Sequence, residues 1–188
     1  MDLLAAYGSA IAENWTVWLV TVVLIVAAVI DGYELRVPNL ITYPFILSGW
    51  AYSLYAYGLE GLMWSLGGTV LGMSILMLFY LIGGMGAGDV KLMGGVGAWM
   101  YWTHTWYCII GFAITGAVLA VAMVIMSGKW KHHYEQFWRI ATEIIVIRDP
   151  EKLSAIAAER KPTMMLLPYG IPIAIATIGY FLWTGMLV

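Results

Sequence analysis

Two aspartates, Asp31 and Asp89, are the residues of this chain best suited by type and spacing to do chemistry. Each lies at the end of a long apolar stretch, and two further apolar stretches separate them, so a chain that crosses a membrane returns both to the same face. An ionised aspartate at bilayer depth costs about 2.5–3.5 kcal/mol on insertion scales, which makes such a residue a functional candidate. Two nearby carboxylates that share one proton supply a base and an acid in one site, because like charges at close range do not both ionise readily. Their titration belongs to the pair and not to either residue. The sharp reading is a two-carboxylate enzyme at a membrane edge. The bland reading makes both aspartates loop charges at a wet interface, and position alone does not choose between them.

The surroundings of Asp89 shift the balance. It closes the run Gly83-Gly84-Met85-Gly86-Ala87-Gly88, where the backbone can approach a partner closely or take φ > 0. Gly94, Gly95 and Gly97 follow, and small residues let membrane helices touch. The run is not a phosphate loop: GxxxxGK[ST] is absent and the spacing does not fit GxGxxG.

The elements that must position these acids follow from composition. The 188 residues are 62% hydrophobic and 11% charged, with a mean hydropathy of +0.85, against about 25% charge in an ordinary soluble domain. So few ionic groups cannot cover a water-soluble surface, and an all-α polytopic membrane protein is expected, as one domain over residues 1–188. The segment before Trp15 carries Asp2 and Glu13 but no Lys or Arg, so no cleavable secretory leader is expected there. A membrane helix needs about 20 apolar residues. Uncharged runs predict six spans: Trp15–Ile30, Leu40–Leu59, Leu62–Ile82, about Asp89–Trp102, about Trp106–Met126, and about Pro168–Val188. The fourth and fifth are divided at Thr103-His104-Thr105, the most polar point of an uncharged run too long for one crossing.

Six alternating spans place all nine Lys and Arg residues on one side: Arg36, Lys91, Lys129, Lys131, Arg139, Arg148, Lys152, Arg160 and Lys161. The positive-inside rule makes that side cytoplasmic, with the N-terminus outside and both aspartates at the cytoplasmic edge of an inner membrane. The long basic loop, about residues 127–167, carries Trp130, Tyr134, Phe137, Trp138, Ala141, Ile144 and Ile145 at helical spacing, with Lys131, Glu135, Arg139 and Glu143 opposite. That pattern predicts an amphipathic helix on the inner leaflet, the alternative being a lid or substrate dock. Asp149-Pro150-Glu151 predicts the cap of a second, short helix.

Two segments carry a family resemblance. "DGYELRVPNLITYPFILSGW" (Asp31 to Trp50) and "GMGAGDVKLMGGVGAWMYW" (Gly84 to Trp102) resemble the signature segments of the type IV prepilin peptidases, the GxGD class of aspartic membrane proteases. The matching features are Asp31, Pro38-Asn39 and Thr42-Tyr43-Pro44 in the first, and Gly86-x-Gly88-Asp89, Lys91-Leu92 and Gly97-Ala98-Trp99 in the second. "LPYGIPIAIA" (Leu167 to Ala176) is similar to the last span of the short form that serves Tad/Flp-type pili.

The resemblance implies an aspartic endopeptidase with Asp31 and Asp89 as its catalytic pair. Its substrate would be a prepilin-like precursor with a short basic leader, a glycine before the scissile bond and an apolar segment after it. Gly86, Gly88, Lys91, Arg36, Asn39, Tyr169 and Gly170 are candidate substrate-binding or supporting residues. Lys91 and Arg36 could equally anchor the interface, and Pro38-Asn39 is expected to start the second span with a turn and a polar cap.

Long-form bacterial members add a cytoplasmic insertion with paired cysteines, associated with N-methylation of the new pilin terminus. Here Asn39 follows Asp31 by only eight positions, and Cys108, in an apolar stretch, is the sole cysteine. Peptidase activity without methyl transfer is therefore expected. No cofactor, metal or nucleic acid is expected either: His132 and His133 are adjacent and diverge on a helix, and His104 falls on the other face. The partners implied are the precursor and the lipid bilayer. The rivals are a small transporter with the acids as a proton or cation relay, and a non-catalytic pilus-assembly partner. No internal repeat supports the transporter, and the span interiors lack formal charge.

Overall fold

A lipid-embedded backbone must satisfy its own polar groups, and a helix does so within one segment whatever the propensity of its residues. This is why the β-branched run near the start of the chain is helical. The computed structural model describes residues 14–81, 84–128, 130–147, 156 and 167–187, and every regular element among them is a helix. These are α1 (Trp15–Glu34), α2 (Asn39–Leu81), α3 (Ala87–Ser127), α4 (Trp130–Val146) and α5 (Gly170–Trp183). The helices α1, α2 and α3 are each long and apolar enough to cross a membrane. On α1, Val17, Val20, Leu24 and Ala27 face inward while Val22, Ile25, Val26 and Val29 are exposed. An apolar outer face of this kind suits lipid and not water.

Both α2 and α3 are interrupted. Gly58, at φ 66 and ψ −154, breaks α2, and Trp50 Nε1 donates to Thr69 Oγ1 at 3.0 Å across the resulting hairpin. The break falls one residue before the end expected for the Leu40–Leu59 span. In α3 the break is at Tyr101, φ 57 and ψ 176, a few residues before the expected Thr103–Thr105 turn. A non-glycine residue there is strained, by about 1–3 kcal/mol. Side chains brace the bend: Thr105 donates to the Tyr101 carbonyl, and Ser53 Oγ donates to the Tyr101 hydroxyl at 3.4 Å. The last helix is shorter than the expected Pro168–Val188 span; it begins at Gly170, ends at Trp183 and gives way to turns.

Lipid tails are as apolar as leucine, so membrane helices associate by close packing and hydrogen bonds. Gly68 and Gly97 meet backbone to backbone: a Cβ built on either one strikes the other's carbonyl oxygen. Gly72 abuts the Met93 backbone, Gly49 abuts Ala98, and Phe45 fills the place a Gly95 side chain would need. Ser65 donates to the Ala98 carbonyl, and Trp99 Nε1 donates to the Phe45 carbonyl at 2.9 Å. The final helix packs on both α1 and the second leg of α3. Tyr107 stacks on Tyr180 with centroids 5.5 Å apart, and Thr115 donates to the Pro172 carbonyl at 3.1 Å. The expected amphipathic helix is present as α4, with Lys131, Tyr134, Glu135, Trp138 and Arg139 exposed. The expected cap at Asp149-Pro150-Glu151 and the side chains of His132 and His133 lie outside the described residues.

Candidate active site

Asp31 is not a loop charge but a buried helical residue. The first helix runs past the expected boundary at Ile30 to Glu34 and ends at Leu35, whose left-handed φ of 53 lets its N–H close on the Asp31 carbonyl. Asp31 therefore lies in the last turn of α1 and is 1% exposed. Its Oδ2 accepts the Gly170 N–H at 2.7 Å, at the start of α5. A Cβ on Gly170 would stand 3.0 Å from both Cβ and Oδ2 of Asp31, so any larger residue there would crowd the acid.

Asp89 occupies the first turn of α3 and is 5% exposed. Its Oδ2 accepts the N–H of Gly86, the N-cap residue, at 3.2 Å. This is the carboxylate half of a capping box, at the end of a helix that attracts negative charge. Gly86 is extended, at φ −81 and ψ 146, so Gly86 and Gly88 serve close approach and not positive φ. Each aspartate is thus held through one oxygen by a backbone N–H at a helix start, Asp31 at α5 and Asp89 at α3.

Two connections bring these ends together. The turn from Leu35 to Pro38 lays Val37 across Gly88, where an added Cβ would meet the Val37 carbonyl, amide nitrogen and side chain. The turn before α5 bonds one acid and lies within electrostatic reach of the other: Gly170 donates to Asp31, and Tyr169 feels the charge of Asp89. Sequence reasoning offered Tyr169 and Gly170 within the segment from Leu167 to Ala176. It missed Val37 and Leu35, for which no pattern in the chain gives a signal.

Lys91 is directed to the start of α2. Its Nζ donates to Asn39 Oδ1 at 2.8 Å and lies 4.6 Å from the centre of the Tyr43 ring. Asn39 is the first residue of α2, and its side-chain oxygen accepts this bond. Lys91→Met is expected to loosen this corner by about 1 kcal/mol. A lower Tm in detergent would show this, and an unchanged Tm would remove the clasp from the account. Arg36 is set apart on the surface, paired through Nε with Glu34 Oε2 at 3.0 Å.

Chemically, the site offers two buried carboxyl groups, each accepting a backbone N–H. Among the described residues no group of His, Cys, Asp and Glu could hold a metal ion.

A family described as the type IV leader peptidase family matches residues 18–121. That stretch contains both aspartates, Val37, Asn39 and Lys91, and leaves out α4, Tyr169 and Gly170. A prepilin leader peptidase/N-methyltransferase of Aeromonas hydrophila is 27% identical over 141 residues, covering 70% of this chain and 47% of the relative. A protein of the same description from Aeromonas salmonicida (strain A449) is 26% identical over 121 residues, covering 61% of this chain and 40% of the relative. The chain therefore spans less than half the length of these curated relatives. No solved structure matches it.

Proposed function

Because the chain belongs to the type IV leader peptidase family, we propose that it is an intramembrane aspartic endopeptidase that removes the short leader of prepilin-like precursors. One carboxylate takes a proton from water as the oxygen attacks the scissile carbonyl carbon. The other, protonated, gives its proton to the departing amide nitrogen as the C–N bond breaks. Water adds across the bond, and the pair ends with one shared proton, as it began. The observation that carries this reading is the burial of Asp31 and Asp89 at one end of the bundle, each holding a helix-start N–H.

That end is the cytoplasmic one in this proposal. Six crossings of the inner membrane, formed by α1, the two legs each of α2 and α3, and α5, put every Lys and Arg on the side of the acids. A basic leader entering from the cytoplasm would meet them at the bilayer edge, where water is at hand. Gly86, Gly88, Tyr169 and Gly170 shape the floor of this site, and Lys91 and Asn39 fix its corner, while Arg36, paired with Glu34 on the surface, takes no part in it. The family favours a peptidase over a proton or cation relay.

The proposal includes no methyl transfer by this chain. Its one cysteine, Cys108, is buried, so the paired cysteines of the long form have no counterpart here. The test is to incubate the purified chain with a synthetic precursor peptide and S-adenosylmethionine and weigh the products. The expected product is the cleaved peptide with an unmodified N-terminus. A product heavier by one methyl group would overturn the second half of the proposal, and intact peptide the first.

A further inference from the structure

A second site lies at the other end of the bundle. Tyr57, Glu60, Gly61, Trp64, Tyr101 and Thr103 line a cavity of about 460 Å³. At about 1.5 Å rise per residue, the helix from Asp89 to Tyr101 sets this cavity about 18 Å from the aspartates. It lies between the breaks of α2 and α3, where Gly58 and Tyr101 turn the chain.

The lining has a distinct chemistry. The Tyr57 and Tyr101 rings meet edge to face at 81° with centroids 6.4 Å apart, as two walls of a corner would. Trp64 stacks on Trp102 at 5.9 Å, which fixes its indole plane. Glu60 brings the one formal charge. No Lys or Arg occurs between Arg36 and Lys91 or between Lys91 and Lys129, so neither segment forming the cavity supplies a cation to neutralise it. Aromatic faces beside a carboxylate attract an organic cation, through ring quadrupoles and charge together. An anion would meet Glu60 and find no basic partner. Calcium takes about 6–8 oxygen ligands, carboxylates prominent among them, and this lining holds a single carboxylate.

The surface leading away from the cavity is also specific. Leu59, Met63, Leu66 and Val70 are all exposed, and their spacing of four, three and four places them in one stripe along the second leg of α2. An acyl chain attached to a cation in the cavity would find a continuous apolar track there.

We infer that this cavity binds an organic ammonium group, of the kind carried by a zwitterionic phospholipid headgroup. The test uses the full chain purified in detergent. Mixed micelles of phosphatidylethanolamine and phosphatidylglycerol are offered and retained lipid is counted by native mass spectrometry, while labelled choline chloride is titrated by equilibrium dialysis. The expected result is a preference for phosphatidylethanolamine of about tenfold, displaced by choline and lost in Glu60→Gln and Glu60→Lys. Choline binding that depends on Glu60, without lipid preference, supports the ammonium site and assigns it to small free cations. Glu60 is exposed, so both variants are expected to keep the wild-type Tm. A Tm that falls in both would show a structural role for Glu60 and overturn the inference. So would the absence of both lipid preference and choline binding, or a preference that survives in folded Glu60→Gln and Glu60→Lys.

Discussion

Asp31→Asn and Asp89→Asn are each expected to lower leader cleavage by about 10³-fold or more, the upper range for loss of a positioned acid or base. Asparagine is the informative replacement. Its side-chain oxygen can still accept the Gly170 N–H at position 31 and the Gly86 N–H at position 89, the two bonds that hold the acids in place. It cannot take up or give the proton. Insertion, helicity and Tm should therefore stay near wild type while turnover disappears. The loss should fall on kcat, because the proton moves in the transition state and not on binding. Since the two carboxylates act as one unit, the double variant should fall no further than the worse single one. The wild-type rate should follow a bell-shaped pH profile that belongs to the pair, and either single variant should lose one limb of it. A drop that comes with unfolding would instead make the acids structural.

The second large effect concerns the seam between α2 and α3. Gly97→Val is expected to destabilise the protein by about 3 kcal/mol or more, at the severe end of overpacking. The first added carbon already runs into the Gly68 carbonyl and the Thr69 nitrogen, which are backbone atoms that cannot rotate away. Gly68→Val should fail the same way against Gly97 and Tyr101. Gly67→Ala, one residue along, is the contrasting case, since nothing lies within 4 Å of the place its methyl group would take. It should be neutral or raise stability by up to about 1 kcal/mol through helix propensity. Equal Tm values for Gly97→Val and Gly67→Ala would show that the seam is not what holds these helices together.

Much of this was legible in the chain. Uncharged runs located the apolar helices because a charge inside lipid is costly, and the glycines of the fourth predicted span marked the tight helix contact because only small residues permit it. The two aspartates stood out as acids at the ends of such runs. Other features lay beyond sequence for physical reasons. Using Asp31 as the end of the first span assumed that a charge lies outside the helix; the helix continues to Glu34, and a left-handed leucine ends it. Thr103 to Thr105 are the most polar point in the uncharged stretch of α3, yet the bend occurs at Tyr101, where long-range bracing from Ser53 offsets a strained backbone. The contact between Gly170 and Asp31 joins the two ends of the chain, and no local pattern encodes it. The aromatic cavity around Glu60 mixes residues from two helical hairpins, each of which alone reads as an interfacial belt.

The most direct test of the central claim is to co-express the chain with a prepilin-like precursor from its own genome and sequence the N-terminus of the product. The account predicts a cut directly after a glycine at the end of a basic leader, present with the wild-type chain and absent with both Asp31→Asn and Asp89→Asn. A precursor left whole by the folded wild-type chain, or cut equally well by either variant, would contradict it.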